Sequence, residues 1–146
     1  MATYSFQDVQ ASIVGPGAAF SIGAGSATSE EGISIETGGG KNTMTVGSDG
    51  EVMHSLHADK SGTIKVTLLK TSPLNALLQA AFDVQTLSSA LHGKNIITVS
   101  NAASSDLHVG RDCAFAQKPN VVYDKAGAKM EWTFNAGKID SILGTY

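Results

Sequence analysis

Residues 62–83 read GTIKVTLLKTSPLNALLQAAFD, and two periodicities meet inside them. From Gly62 to Lys70, apolar and polar residues alternate, which is the period of a half-buried β-strand. Ile64, Val66 and Leu68 fall on one face, the face expected to meet a core. Thr63, Lys65 and Thr67 fall on the other. From Ser72 the apolar spacing changes to three and four. Leu74, Leu77, Leu78, Ala81 and Phe82 make one stripe of an amphipathic helix. Ser72 suits the N-cap and Pro73 the first helical position. The best-organised stretch of the chain therefore predicts strand, tight turn and helix, and it holds no catalytic group.

Outward from it, the same alternation recurs. Residues 128–136, AKMEWTFNA, put Met130, Trp132 and Phe134 inside and Glu131, Thr133 and Asn135 outside. Residues 51–58 alternate as well, and with DKSG as the turn they are expected to form a β-hairpin with residues 63–70. Residues 3–14 read as a strand whose phase slips near Gln7–Asp8, which suggests a bulge or bend; GPG at 15–17 ends it. Residues 94–101 read as a further strand, and residues 107–123 as one or two shorter ones divided by Pro119. After Asp83 the helical pattern fades, so residues 84–93 are a loop or a second turn with Gly93 as a stop. The tail keeps apolar residues at 139, 142 and 143. Residues 18–50 are rich in Gly, Ser and Thr, with short strand-like pieces at Ile33–Glu36 and Thr43–Val46. They are expected to form a long loop region, either mobile alone or held by a partner. The sum is six to eight strands and one helix in a single domain, 1–146. That is a mainly β, α+β chain, arranged as a β-sandwich or open barrel with the helix on one side.

Composition bounds the function. The chain has 146 residues, enough to enclose a core without metal or disulfide. Only 16% of them are charged, against a usual ~25%, and 16 are glycine. Interface cores are depleted of charge in the same way, so copies of the chain are expected to cover one another. An ordinary Gly/Ser-rich β domain is the plain alternative. The net charge of −3 argues against a protein that grips nucleic acid through a basic stripe. One cysteine, Cys113, excludes an intrachain disulfide. The N-terminus lacks the basic start and apolar run of a signal peptide, and no apolar run is long enough to span a membrane.

Motifs that carry chemistry fail on inspection. GPGAAF at 15–20 has Phe20 where a dinucleotide fingerprint needs its third glycine. GGGKNT at 38–43 has Asn42 where a phosphate loop needs Ser or Thr, and Ile35 where that motif starts with glycine. His54 and His57 are three apart, which on a strand points them to opposite faces and forbids a shared metal. His92 and His108 lie in or near turns with no carboxylate pattern around them. Cys113 reads as a small apolar side chain. No catalytic residue, cofactor site or metal site is expected.

The order of these elements resembles that of bacteriophage tail tube proteins of contractile-tailed phages. GTIKVTLLKTSPLNALLQAAFD resembles their strand, Thr-Ser-Pro, Asn and leucine-rich helix. Residues 4–36, YSFQDVQASIVGPGAAFSIGAGSATSEEGISIE, resemble their extended start and small-residue loop. Residues 129–144, KMEWTFNAGKIDSILG, resemble their closing strand and tail. The resemblance covers nearly the whole chain and implies a structural protein. It implies strands that join an inter-subunit β-barrel, hexameric rings stacked into a tube, and a helix on the outside. It also implies sheath, baseplate and tail-terminator partners, assembly in the host cytoplasm, and DNA that leaves through the lumen without specific binding. On that reading the polar strand faces, Thr63, Lys65, Thr67, Glu131, Thr133 and Asn135, are the lumen candidates. The alternatives are a tube subunit of a phage-like secretion or injection machine, a tail-completion protein, or a small β-sandwich that binds a ligand.

Overall fold

A computed structural model describes residues 2–23 and 28–145, with residues 28–31 described by their backbone alone. The strand at its centre, β6 (Gly62–Leu69), buries Ile64, Val66 and Leu68 completely or nearly so. It pairs on one side with β9 (Lys129–Ala136), setting Val66 opposite Trp132 and Ile64 opposite Phe134. On its other side lies β3 (Thr28–Thr37), with Ile33 opposite Val66. A second layer is built from β1 (Val9–Gly15), β2 (Ala18–Ser21), β7 (Asn95–Asn101) and β10 (Lys138–Ile142). With β8 (Asp106–Gln117) between them, all pairings are antiparallel, and the order is β2-β1-β7-β8-β9-β6-β3 with β10 attached to β8.

The two layers are one sheet because β8 (Asp106–Gln117) belongs to both. Residues 106–111 lie between β7 and β10, whereas Ala114 and Phe115 pair with β9. The ladder shifts register where the strand turns the corner, and Asp112 sits there at φ 52°. A bulge of this kind bends a strand enough to carry it from one layer to the next. Gly137 does the same for β9 and β10, and its N–H donates to the Arg111 carbonyl. Pro119 lies just beyond β8, so residues 107–117 form one long strand. Between the layers sit Ile13, Ile97, Ile64, Val66, Trp132 and Phe134. The Phe115 ring stands 4.6 Å from Phe134, 5.9 Å from Trp132 and 5.6 Å from Phe82.

Helix α1 (Leu74–Gln85) closes one side of this sandwich. The helix begins one residue later than expected, with Pro73 at the N-cap position and no side-chain cap there, although the Ser72 hydroxyl still accepts the Leu74 N–H. Asn75 ties the helix to the strands: its Oδ1 accepts the Trp132 indole N–H at 3.1 Å and its Nδ2 donates to the Leu69 carbonyl. Leu74, Leu78 and Ala81 are buried and Phe82 is partly so, but Leu77 is 46% exposed. At 100° per residue Leu77 lies about 80° from the centre of the buried stripe. A helix wedged into a side opening covers only a narrow stripe, and Leu77 falls outside it. Met130, expected inside, is only half-buried, at the end of β9.

Two other expectations are corrected. The segment 18–50 is mostly strand rather than long loop, although residues 24–27 lie outside the described residues. The hairpin expected between 51–58 and 63–70 does not form. Instead β5 (Val52–Leu56) pairs with β4 (Asn42–Val46), turning at Gly47–Glu51, where the Gly47 N–H donates to the Glu51 carbonyl. These two strands form a separate two-stranded arm. DKSG therefore lies at the root of the arm and not at a turn. The slip near Gln7–Asp8 is a short 3-10 turn, Phe6–Asp8, held by the Ser5 hydroxyl.

Candidate assembly surfaces

The polar face of β6 and β9 lies across the layer from the core. Register places Ser34, Lys65, Thr133 and Gln117 in one row across four strands, and Glu36, Thr63, Asn135 and Ala114 in the next. Thr63, Lys65 and Thr133 are half-buried, and Glu131 and Asn135 are exposed. Thr67 differs: it is buried in the single chain. Its partner on one side is Glu131, and on the other the β3 ladder jumps from Thr28 to Ile33, so extra backbone sits beside it. Ser34 and Glu36 join this face, as the inward positions of Ile33 and Ile35 required. Among the described residues no ion pair involves Lys65. Its nearest carboxylates in register, Glu36 and Glu131, are diagonal neighbours, whose typical separation is about 7–8 Å.

The arm is the second surface. Asn42, Met44 and Val46 share a face with Val52, His54 and Leu56. Met44, Val46 and Val52 are exposed, and Leu56 is 87% exposed. On this face His54 Nδ1 stands 3.1 Å from the Asn42 amide, while His57 Nε2 meets the Thr43 hydroxyl on the other, at 2.6 Å. The histidines are thus on opposite sides, as their spacing predicts. A monomer has no reason to present four large apolar side chains in one row to water.

Edges are the third. Among the described residues, strands β2 and β3 end the sheet order, each with one neighbouring strand. An unpaired edge offers a row of N–H and C=O groups to another chain. Strand β10 has β8 as its neighbour and is held by polar contacts. Arg111 and Asp140 form an ion pair, His108 Nδ1 lies 2.8 Å from the Ser141 hydroxyl, and the Gly144 N–H donates to Asp106 at 2.7 Å. That last bond holds the Asp106 carboxyl below its ordinary value of 3.8. The bond therefore contributes at pH above the ordinary carboxylate range and is lost as pH falls through the lowered value. Asp106→Ala, which removes the acceptor, should release the tail. Hydrogen exchange at Gly144 should rise, while Ile139, bonded to the Lys60 carbonyl, stays protected.

No arrangement on these surfaces is suited to covalent chemistry. Cys113 is fully buried, and burial lifts its thiol from 9.0 to about 11, so it stays protonated at neutral pH. Among the described residues no group of His, Cys, Asp and Glu could hold a metal ion, and no helix is long and apolar enough to cross a membrane.

Comparison with known proteins agrees with this picture. Among curated protein sequences none is significantly similar. Among solved structures, a chain of the sheath–tube complex of PVC, an extracellular contractile injection system, in its extended state aligns with a TM-score of 0.57. The identity is 12%, over 97% of this chain and 92% of that one. A chain of the sheath/tube terminator of that system aligns with a TM-score of 0.57 and 15% identity, covering 97% and 98%. A chain of the tube-terminating cap of the anti-feeding prophage gives 0.55 and 9%, covering 99% and 95%. At such identities the likeness is one of fold. The family model for the bacteriophage PhiTE tail tube protein matches residues 1–144. The chain belongs to that tail tube family, and it is a structural protein of the tail rather than an enzyme.

Proposed function

We propose that copies of this chain close into hexameric rings, that the rings stack into the inner tail tube, and that the genome leaves the particle through the lumen. The exposed apolar face of the arm carries this reading, because burying Met44, Val46, Val52 and Leu56 needs another copy. The open edge β3, at the root of the arm, supplies a ladder for a neighbouring subunit. A ring contact is heterologous and closes when its rotation closes, whereas a stacking contact continues without limit.

The face that carries Thr63, Lys65, Glu131, Thr133 and Asn135, with Ser34 and Glu36, then lines the lumen. Its hydroxyls, amide and two carboxylates against one lysine give a weakly acidic wall, which lets DNA slide without binding. Thr67 lies under this wall rather than on it. Assembly takes place in the host cytoplasm, where the baseplate seeds the first ring, a terminator ends the last one and a contractile sheath surrounds the tube. The solved neighbours come from sheath–tube, terminator and tube-cap complexes, which supports partners of this kind. Two of these neighbours belong to a contractile injection system, so a tube subunit of such a machine is the second reading. Particles that contain DNA would favour the phage tail and particles that lack it the machine.

Purified protein should form rings and then tubes as its concentration rises, visible by negative-stain microscopy and as fast-sedimenting material. A single monomer boundary at every concentration would overturn the proposal.

A further inference from the structure

The arm and the body are two parts of one long hairpin with a joint between them. The ladder of the body ends at Thr37 opposite Gly62, and that of the arm begins at Asn42 opposite Leu56. Four residues, 38–41, face five, 57–61, so no regular pairing can bridge the gap. Two backbone hydrogen bonds cross it, from the Gly38 N–H to the Ser61 carbonyl and from the His57 N–H to the Lys41 carbonyl. The Lys41 ammonium also meets the Asp59 carbonyl, and the Asp59 carboxylate accepts from the Ser61 N–H and hydroxyl.

Three glycines, 38, 39 and 40, occupy one side of this joint. Gly39 has φ 66°, where glycine is favoured. Gly38 and Gly40 do not have positive φ, and a Cβ on them would meet its nearest atoms at 3.5 and 3.9 Å, ordinary contact distances. Neither the backbone angle nor the space around them calls for glycine in this conformation.

We propose that residues 38–41 and 57–61 form a hinge, and that in the assembled tube Gly38 or Gly40 adopts a backbone angle closed to residues with a Cβ. The arm then turns against the body to bring its apolar row onto a second copy of the chain. This rests on the tube reading above. The free chain holds the arm at one angle through few bonds, and assembly supplies the contact that favours another.

The test is the double variant Gly38→Ala/Gly40→Ala beside Gly127→Ala as control. Gly127 also has ordinary φ, with nothing within 4 Å of an added Cβ. All the substitutions restrict the unfolded chain, so Tm should rise by about 1–5 °C. Tube growth, followed by light scattering and microscopy, should slow at least about tenfold in the double variant and remain at the wild-type rate in Gly127→Ala. If the double variant forms tubes as fast as wild type, the hinge is refuted and the tube reading survives. If its Tm falls, the glycines serve the observed conformation and the hinge is refuted again. If Gly127→Ala slows growth equally, the effect does not lie at the joint. If wild type itself forms no tubes, the tube reading fails, and the hinge with it.

Discussion

Val66→Asp should leave the chain unfolded and unable to assemble. Val66 has no exposed surface and lies between Ile33 of β3 and Trp132 of β9, in the middle of the central strand. Among the described residues no Lys, Arg or His is buried in this core, so a carboxylate there must either be buried charged or take up a proton. Together with the lost packing, the cost is on the order of 4 kcal/mol or more. A domain of this size has about 5–15 kcal/mol in hand, so burial of a charge, at the upper end of that cost, exhausts it. Circular dichroism should show no cooperative melt, and microscopy no rings. Ser34→Ala, one position along β3 from Ile33 and on the opposite face, should melt within about 0.5 kcal/mol of wild type. A cooperative melt for Val66→Asp, near the wild-type temperature, would mean that this strand face is not the core.

The same strand shows how far the fold can be read without coordinates. Alternation alone placed Ile64, Val66, Leu68, Trp132 and Phe134 inside, because burial against a packed layer forces a period of two. Pairing was harder to read. GSDG at 47–50 and DKSG at 59–62 are both acceptable four-residue turns, and the longer pair of alternating segments, 51–58 and 63–70, reads as the hairpin. The choice is made by β3, which needs β6 as its partner and leaves β5 to pair with β4. β3 was hidden because its core-facing residues are few and are set among Gly, Ser and Glu. The corner at Gly137 likewise disguised β10, whose register depends on the bend in β8.

The assembly surfaces were legible in part for the same reason. The polar faces of β6 and β9 follow from the apolar ones, so their residues could be named, but whether extra backbone covers one of them could not, and Thr67 is the result. The arm's apolar row carried no signal of its own. Val52 and Leu56 alternate just as Val66 and Leu68 do, and local sequence does not distinguish a row that meets the chain's own core from one left in water. Only the low charge of the whole chain raises the expectation that copies cover one another.

The second large effect concerns two buried amides that no periodicity reveals. Gln85, at the last turn of α1, and Asn95, at the start of β7, are both fully buried. They bond reciprocally: Gln85 Nε2 donates to Asn95 Oδ1 at 2.7 Å and Asn95 Nδ2 to Gln85 Oε1 at 2.6 Å. Gln85 Nε2 also donates to the Pro16 carbonyl at 3.0 Å, which joins the helix, β7 and the turn between β1 and β2. A Cβ on Gly15 would lie 2.0 Å from Asn95 Oδ1, so the amide approaches this closely only because residue 15 is glycine. Asn95→Ala removes both reciprocal bonds and leaves the Gln85 carbonyl oxygen buried without that donor, beside a small void. The expected loss is about 2–4 kcal/mol. Gln85→Met/Asn95→Leu removes both amides and keeps apolar volume, so no stranded amide oxygen remains, only the Pro16 carbonyl without its donor. It should be less destabilised than Asn95→Ala alone, although it changes more atoms. Urea melts of Gln85→Met, Asn95→Leu and the double variant give the coupling directly. If the double variant loses the sum of the single losses, the amides act independently, and their reciprocal bonds add nothing as a pair to the hold that Leu74, Leu78, Ala81 and the Asn75 bonds have on the helix.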